Sequence, residues 1–230
     1  MDRRESDAAQ VPGILLEGSC FSGKSSVAKV LARMLAARGL LPQLGHCYVC
    51  EDAENARLHA MALHSFNVQL PPATFRDSGY FLEFNRCRSL NLAHDARLLR
   101  NCSWPSRRVQ IQDRHWFSQY CQNDYFTPSR DYLPLQWRNE SAPRFDLHVL
   151  LGVCGDTLRA CAQLPVRPEE HGVHKHFRRF GDELADFESH CASLWPEGPK
   201  WMRLNMDQHS PDSAAVVICN AFSQVTGLCE

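Results

Sequence analysis

The run Gly18-Ser19-Cys20-Phe21-Ser22-Gly23-Lys24-Ser25 sets two glycines, a lysine and a hydroxyl at the offsets G-x-x-x-x-G-K-S. Those residue types at that spacing suit phosphate. Backbone N–H groups of a glycine-rich turn can converge on anionic oxygens, a lysine ammonium can reach the outer phosphates of a nucleoside triphosphate, and the hydroxyl can stand on Mg²⁺. The flanks agree. Gly13–Glu17 reads as a buried strand, and Val27, Val30, Leu31, Met34 and Leu35 recur at helical spacing up to Gly39. A helix opening directly after the turn adds its positive dipole end. The expected nucleotide-binding residues are Gly18, Ser19, Cys20, Phe21, Ser22, Gly23, Lys24, Ser25 and Ser26. Lys24 is assigned to the phosphates and Ser25 to Mg²⁺. The bland alternative is a glycine-rich turn that only packs.

Three further groups fall where parallel strands end, which is where open α/β sheets bind ligands. They are Glu51-Asp52, Asp113-Arg114-His115, and a basic stretch with Arg167, Arg178 and Arg179. Phosphoryl transfer needs cations around the moving group, Mg²⁺, and a carboxylate to orient or deprotonate the acceptor. Asp113 and Arg114 supply an acid and a cation at a strand end, with Asp113 a second candidate for Mg²⁺; alone they would read as an ordinary surface pair. Glu51 is a candidate base, although Glu-Asp opening a helix is equally a plain N-cap.

To bring these groups together the chain needs a parallel sheet. Its pattern alternates strand and helix, predicting an α/β fold: a five-stranded parallel sheet, helices on both faces, in three layers. Expected strands are Gly13–Glu17, Leu44–Cys50, Arg108–Gln112, Leu147–Val153 and Met202–Met206. Expected helices are Lys24–Arg38, Asp52–His64, Ser78–Arg100, one after Trp116, Asp156–Gln163, Gly181–Leu194 and Asp212–Thr226. Residues 1–10 are polar and read as a disordered leader, and 11–230 as one domain. Tyr125–Pro143, with three prolines and several aromatics, reads as an irregular insertion.

A net charge of −1 on 230 residues gives no field toward nucleic acid or membrane, and no apolar run approaches a membrane span. A cytoplasmic protein is expected. The eleven cysteines are odd in number and many fall in predicted elements, so they read as reduced core residues. Cys47-Tyr48-Val49-Cys50 has C-x-x-C spacing without a second pair. His171, His174 and His176 sit among charged neighbours and read as a solvated loop.

The phosphate loop preceded by Glu17, the Asp113-Arg114-His115 turn and the strand Phe145–Val153 resemble the thymidylate kinase group of P-loop kinases and its deoxynucleoside kinase relatives. The order of elements is similar over about Val11 to Phe222. The resemblance implies a P-loop kinase fold with a basic lid at about 164–180, and ATP and Mg²⁺ as donor and cofactor. Lys24 and Ser25 would hold the donor phosphates and the metal. Arg114 would grip the acceptor phosphate or the transferring group, with Asp113 beside it near Mg²⁺. Ser118 matches the serine of the D-R-Y-x-x-S pattern. Arg86 resembles the long-helix arginine facing the acceptor base, a register for which Phe84 and Arg88 at i, i+4 fit almost as well. Arg178 and Arg179 would be lid arginines, and a homodimer through the long helices is plausible for the group. Departures lie on the acceptor side. Cys20 stands where thymidylate kinases usually carry an Asp contacting the acceptor sugar, and His115 replaces Tyr. Glu51 lacks the usual neighbouring arginine, which leans toward the nucleoside kinases, where a glutamate after strand two is the base.

The expectation is an ATP-dependent kinase of a nucleoside, nucleotide or related small acceptor. A kinase of a natural product is the alternative within enzymes. A nucleotide-binding switch is the alternative outside them, weakened by the absence of an N/T-K-x-D run and of a strand ending in Asp-Glu.

Overall fold

In the computed structural model the described residues are 8–68, 80–127, 141–164 and 181–227. Five strands form one all-parallel sheet: β1 (Gln10–Glu17), β2 (Leu41–His46), β3 (Arg108–Asp113), β4 (Arg144–Gly152) and β5 (Trp201–Asn205), in the order β2-β3-β1-β4-β5. The helices are α1 (Lys24–Ala37), α2 (Ala53–Val68), α3 (Tyr80–Arg100), α4 (Trp116–Phe126), α5 (Gly155–Gln163), α6 (Gly181–Leu194) and α7 (Pro211–Thr226).

Two apolar layers sandwich the sheet. Ile14, Leu16, Val149 and Leu151 pack with α1 and α7 through Leu31, Leu35, Ile218 and Phe222. The other face packs Val11, Leu15 and Phe145 against α2 to α6, including Phe117, Leu158 and Leu184. β1 and β4 are apolar on both faces because each lies between two strands and beneath two helical layers. β1 has a bulge between Val11 and Ile14. Gly13 fills it at φ 154, and a Cβ there would fall 2.0 Å from the Gln110 carbonyl oxygen. α1 ends as its sequence predicts. Gly39 takes φ 77, and the Gly39 and Leu40 amides return to Ala36 and Leu35.

β1 opens at Gln10, so the last residue assigned to the leader belongs to the sheet; residues 1–7 lie outside the described residues. β2 is displaced to Leu41–His46 from the expected Leu44–Cys50. It stops because Cys47 turns the backbone at φ 68 and because the Val49 and Cys50 amides donate to Asp95 on α3 instead of to a ladder. Of the insertion, 128–140 lies outside the described residues, while Tyr125 and Phe126 complete α4. No helix among the described residues is long and apolar enough to cross a membrane.

Candidate functional site

Parallel register brings the strand ends level. Leu16 pairs with Asp113 and His46 with Asp113, so the turns after β1, β2 and β3 leave the sheet side by side, and Glu17 pairs with Leu150, two residues before β4 ends. The turn after β1 holds Gly18 at φ 135, Phe21 at φ 69 and Gly23 at φ 79. Gly18 is required by space as well as by φ, since a Cβ would lie 2.6 Å from the Leu151 carbonyl oxygen. Gly23 caps α1 with no side-chain hydrogen bond, and the first turn has no acidic residue. The helix therefore presents its positive dipole end to the loop with no acid of its own to offset it.

Lys24 is buried, its Nζ donating to the Ser19 carbonyl and to Ser22 Oγ at 3.0 Å. Burial, aided by the Arg114 charge, pulls its pKa down to about 8 against the opposing pull of Asp113, Cys20 and Glu188. Ser25 Oγ donates to Asp113 Oδ2 at 2.7 Å, whereas Asp113 Oδ1 is buried without a hydrogen-bond partner. Burial pushes the Asp113 carboxyl up, but His46, Lys24 and Arg114 together overcome it and hold the group below its ordinary range. His46 Nδ1 lies 3.7 Å from Asp113 Oδ2, an ion-pair separation rather than a hydrogen bond. Asp113 first, then Cys47, raises His46 to about 9.

Arg114 adopts φ 63 and donates its N–H to the Leu16 carbonyl at 2.9 Å. Burial opposes its charge, but Cys20 and Asp113 outweigh burial and hold the guanidinium above the ordinary arginine value. Its Nη2 donates to Cys20 Sγ at 3.2 Å, and its Nε is buried without a partner.

Three buried carboxylates staple the turns. Glu17 accepts from the His115 and Phe117 amides at 3.1 and 3.2 Å and from the Ser118 amide and hydroxyl, tying β1 to the start of α4. Burial pushes its pKa up against those donors. Asp95 accepts from the Val49 and Cys50 amides at 2.9 and 2.8 Å, from Asn55 Nδ2 at 3.0 Å and from His115 Nε2 at 2.9 Å. Burial raises the Asp95 carboxyl, and His115 leads the donors that bring it below its ordinary value. Glu188 on α6 accepts from the Ser19 amide at 3.2 Å and the Val153 amide at 3.3 Å.

The structure brings Gly18 to Ser25, Asp113 and Arg114 together. Ser26, like Lys24 and Ser25, lies in the first turn of α1; it is exposed and its amide donates to the Gly23 carbonyl at 3.0 Å. Ser118 is also displaced from the expected acceptor role: its hydroxyl and amide both donate to Glu17, which makes it part of the α4 cap. Arg86 lies on the exposed side of α3, paired with Glu83. The inward position is Arg88, buried and donating to Asn91 Oδ1 and, at 3.0 Å, to the Cys47 carbonyl. The sequence offered that register through Phe84 at i, i+4. Asp52, not Glu51, caps α2, accepting the Asn55 amide at 2.7 Å. Glu51 stands exposed beside it. Arg167, Arg178, Arg179, the histidines at 171, 174 and 176, and nearly all of the expected lid lie outside the described residues. Asp95 and Glu188 were not legible as site residues, because an acid on an amphipathic helix carries no mark of an amide partner dozens of positions away.

Among the described residues no group of three His, Cys, Asp or Glu is arranged to hold a metal. The Ser25–Asp113 pair nonetheless fits Mg²⁺, which keeps several waters and binds through one or two carboxylates plus substrate phosphates. The partnerless Asp113 Oδ1 is the donor such an ion would use.

No protein-family model matches this sequence, and no curated protein matches it.

Proposed function

We propose that this chain is an ATP-dependent small-molecule kinase that moves the γ-phosphoryl group of MgATP to a nucleoside, a nucleotide or a related small acceptor. The observation that carries the reading is the Ser25–Asp113 hydrogen bond with Asp113 Oδ1 left over, beside the buried ammonium of Lys24 and the guanidinium of Arg114. A hydroxyl, a carboxylate and two cations gathered where the β1 and β3 turns meet are the parts phosphoryl transfer requires.

In this reading the Gly18–Gly23 turn and the amides opening α1 receive the donor phosphates. Lys24 reaches from the Ser19 carbonyl toward the outer phosphates. Ser25 and Asp113 would hold Mg²⁺, which supplies charge neutralisation across the phosphates. Arg114 would grip the acceptor phosphate or the transferring group, and its charge is supported within the protein by the Cys20 sulfur and the field of Asp113. In this reading the acceptor-side arginine of α3 is assigned to the buried Arg88, the alternative register, in place of Arg86. Glu51 is the exposed carboxylate available to orient or deprotonate an acceptor hydroxyl. Arg178 and Arg179 enter only through the resemblance to lid arginines.

The acceptor side supports a second reading with the same donor chemistry, a kinase of a natural product. Cys20 is occupied by Arg114, and a thiol there cannot hold a sugar hydroxyl as the acid of thymidylate kinases does. The test is transfer from γ-labelled ATP to a panel of nucleosides, nucleoside monophosphates and hydroxylated natural products, with Lys24→Ala as control. Labelled product from wild type, lost in Lys24→Ala, is expected. Acceptor-independent release of phosphate at a comparable rate would favour a nucleotide switch, and full transfer by Lys24→Ala would overturn the reading.

A further inference from the structure

Glu188 is a buried acid on the face of α6, 169 positions from the loop residue it contacts. Its two oxygens take one backbone amide each: Ser19 in the turn after β1, and Val153 in the turn after β4. β1 and β4 are neighbours in the sheet, so Glu188 bridges the ends of two adjacent strands. The Ser19 backbone is held at both of its polar groups. Its N–H, in the Gly18–Ser19 peptide, goes to Glu188, while its carbonyl, in the Ser19–Cys20 peptide, accepts from Lys24 Nζ and from Ser22 Oγ at 3.1 Å. The two peptides meet at the Ser19 Cα, so an ammonium that rests on this carbonyl is only as well placed as the residue carrying it.

We infer that Glu188 is a positioning residue of the donor site, acting through the backbone of Ser19 to set where the Lys24 ammonium rests. The inference rests on the reading of the Gly18–Ser25 turn as the ATP site and adds to it an element far away in the chain. Two effects of removing the carboxylate oppose each other. Loss of a negative charge near Lys24 favours phosphate, because Glu188 is among the groups acting on that ammonium. Loss of the anchor frees the Ser19 backbone and the lysine with it. A pre-organised anion site depends on geometry to within fractions of an ångström, so the anchor dominates.

The variant is Glu188→Gln, which keeps size but can accept only one of the two amides. MgATP binding is read by calorimetry at 20 °C on the whole chain, and exchange of the Ser19 amide is read by NMR without nucleotide. The expected result is at least tenfold weaker MgATP binding and at least tenfold faster Ser19 exchange, with β4 amides such as Val149 unchanged. A role confined to stability would lower Tm and leave the binding of the folded protein unmoved. Should Glu188→Gln fail to fold, Glu188→Asp carries the same test, since it keeps the charge but cannot span both amides. Unchanged or tighter MgATP binding overturns the inference. Failure of the wild-type chain to bind MgATP overturns the nucleotide reading and this role with it, which separates the two failures.

Discussion

Ser25 Oγ and Asp113 Oδ2 stand 2.7 Å apart across 88 positions of sequence. One comes from the first turn of α1 and the other from the last residue of β3, and the β1–β3 register brings them level. The pair predicts Mg²⁺ dependence. Asp113→Asn should abolish the gain in ATP affinity that Mg²⁺ gives, and Ser25→Ala should reduce it. ATP titrations with and without Mg²⁺ check this, and equal Mg²⁺ enhancement in Asp113→Asn and wild type would refute it.

Lys24 trades stability for a charge in place. The fall from 10.5 to about 8 corresponds to roughly 3 kcal/mol of disfavoured ionisation, offset in part by the bonds to Ser19 and Ser22. The unfolded chain keeps that proton up to 10.5 while the folded chain loses it near 8, so this group makes folding more favourable as pH rises between those values. Lys24→Met should raise Tm at pH 7 by about 2–4 °C and weaken MgATP binding at least a hundredfold. Scanning calorimetry and titration read both, and a lowered Tm with intact binding would contradict the account.

His46 works in the opposite direction. Its folded pKa of about 9 exceeds the ordinary 6.5, so its contribution is complete below 6.5 and fades as pH rises toward 9. Its side chain is 57% exposed, and water screens the Asp113 contact. The loss should stay below about 1 kcal/mol. Denaturant midpoints from pH 6 to 8 should decline slightly in wild type and be flatter in His46→Ala; identical slopes would remove His46 from the charge network.

Arg86 and Arg88, two residues apart on α3, should behave differently. Arg86→Ala breaks only an exposed pair and should change stability by less than about 0.5 kcal/mol. Arg88→Ala leaves Asn91 Oδ1 and the Cys47 carbonyl without their buried donor and should cost about 2–3 kcal/mol. If a phosphoacceptor is found, Arg88→Ala should also raise its KM more than that of ATP. Urea unfolding and steady-state kinetics measure these effects, and equal ones at the two positions would mean that the inward and outward faces of α3 are wrongly distinguished.

Glu17 closes the first turn of α4. Glu17→Gln keeps one acceptor oxygen for three amides and a hydroxyl, and should cost about 2–4 kcal/mol. Far-ultraviolet circular dichroism and thermal melts check it; an unchanged Tm would show that the cap is dispensable.

Local patterns were legible where local forces decide. α1 is anchored by Gly23 and Gly39 and by apolar residues at helical spacing, and its start at Lys24 follows from those alone. β4 announced itself as a central strand through an apolar run. β2 departs from its expected bounds because its end depends on Asp95 capturing two amides from another element, a tertiary choice that strand propensity at Val49 does not encode. The loop, Asp113 and Arg114 carry residue types that chemistry needs, and they converge. Ser118 carried the right type too, but Glu17 directly beneath α4 claims both its donors. Asp95 and Glu188 escaped because their partners are main-chain groups, which every residue has.

The Ser19–Glu188 bond also orders events in time. A ribosome adding roughly 5–20 residues per second delivers Glu188 about 8–34 s after Ser19, 169 positions later. Through that interval the Ser19 amide lacks its native acceptor, and β1 waits for its ladder partners β3 and β4. The last contact that fixes the glycine turn is therefore delivered only when more than four-fifths of the 230 residues have been translated.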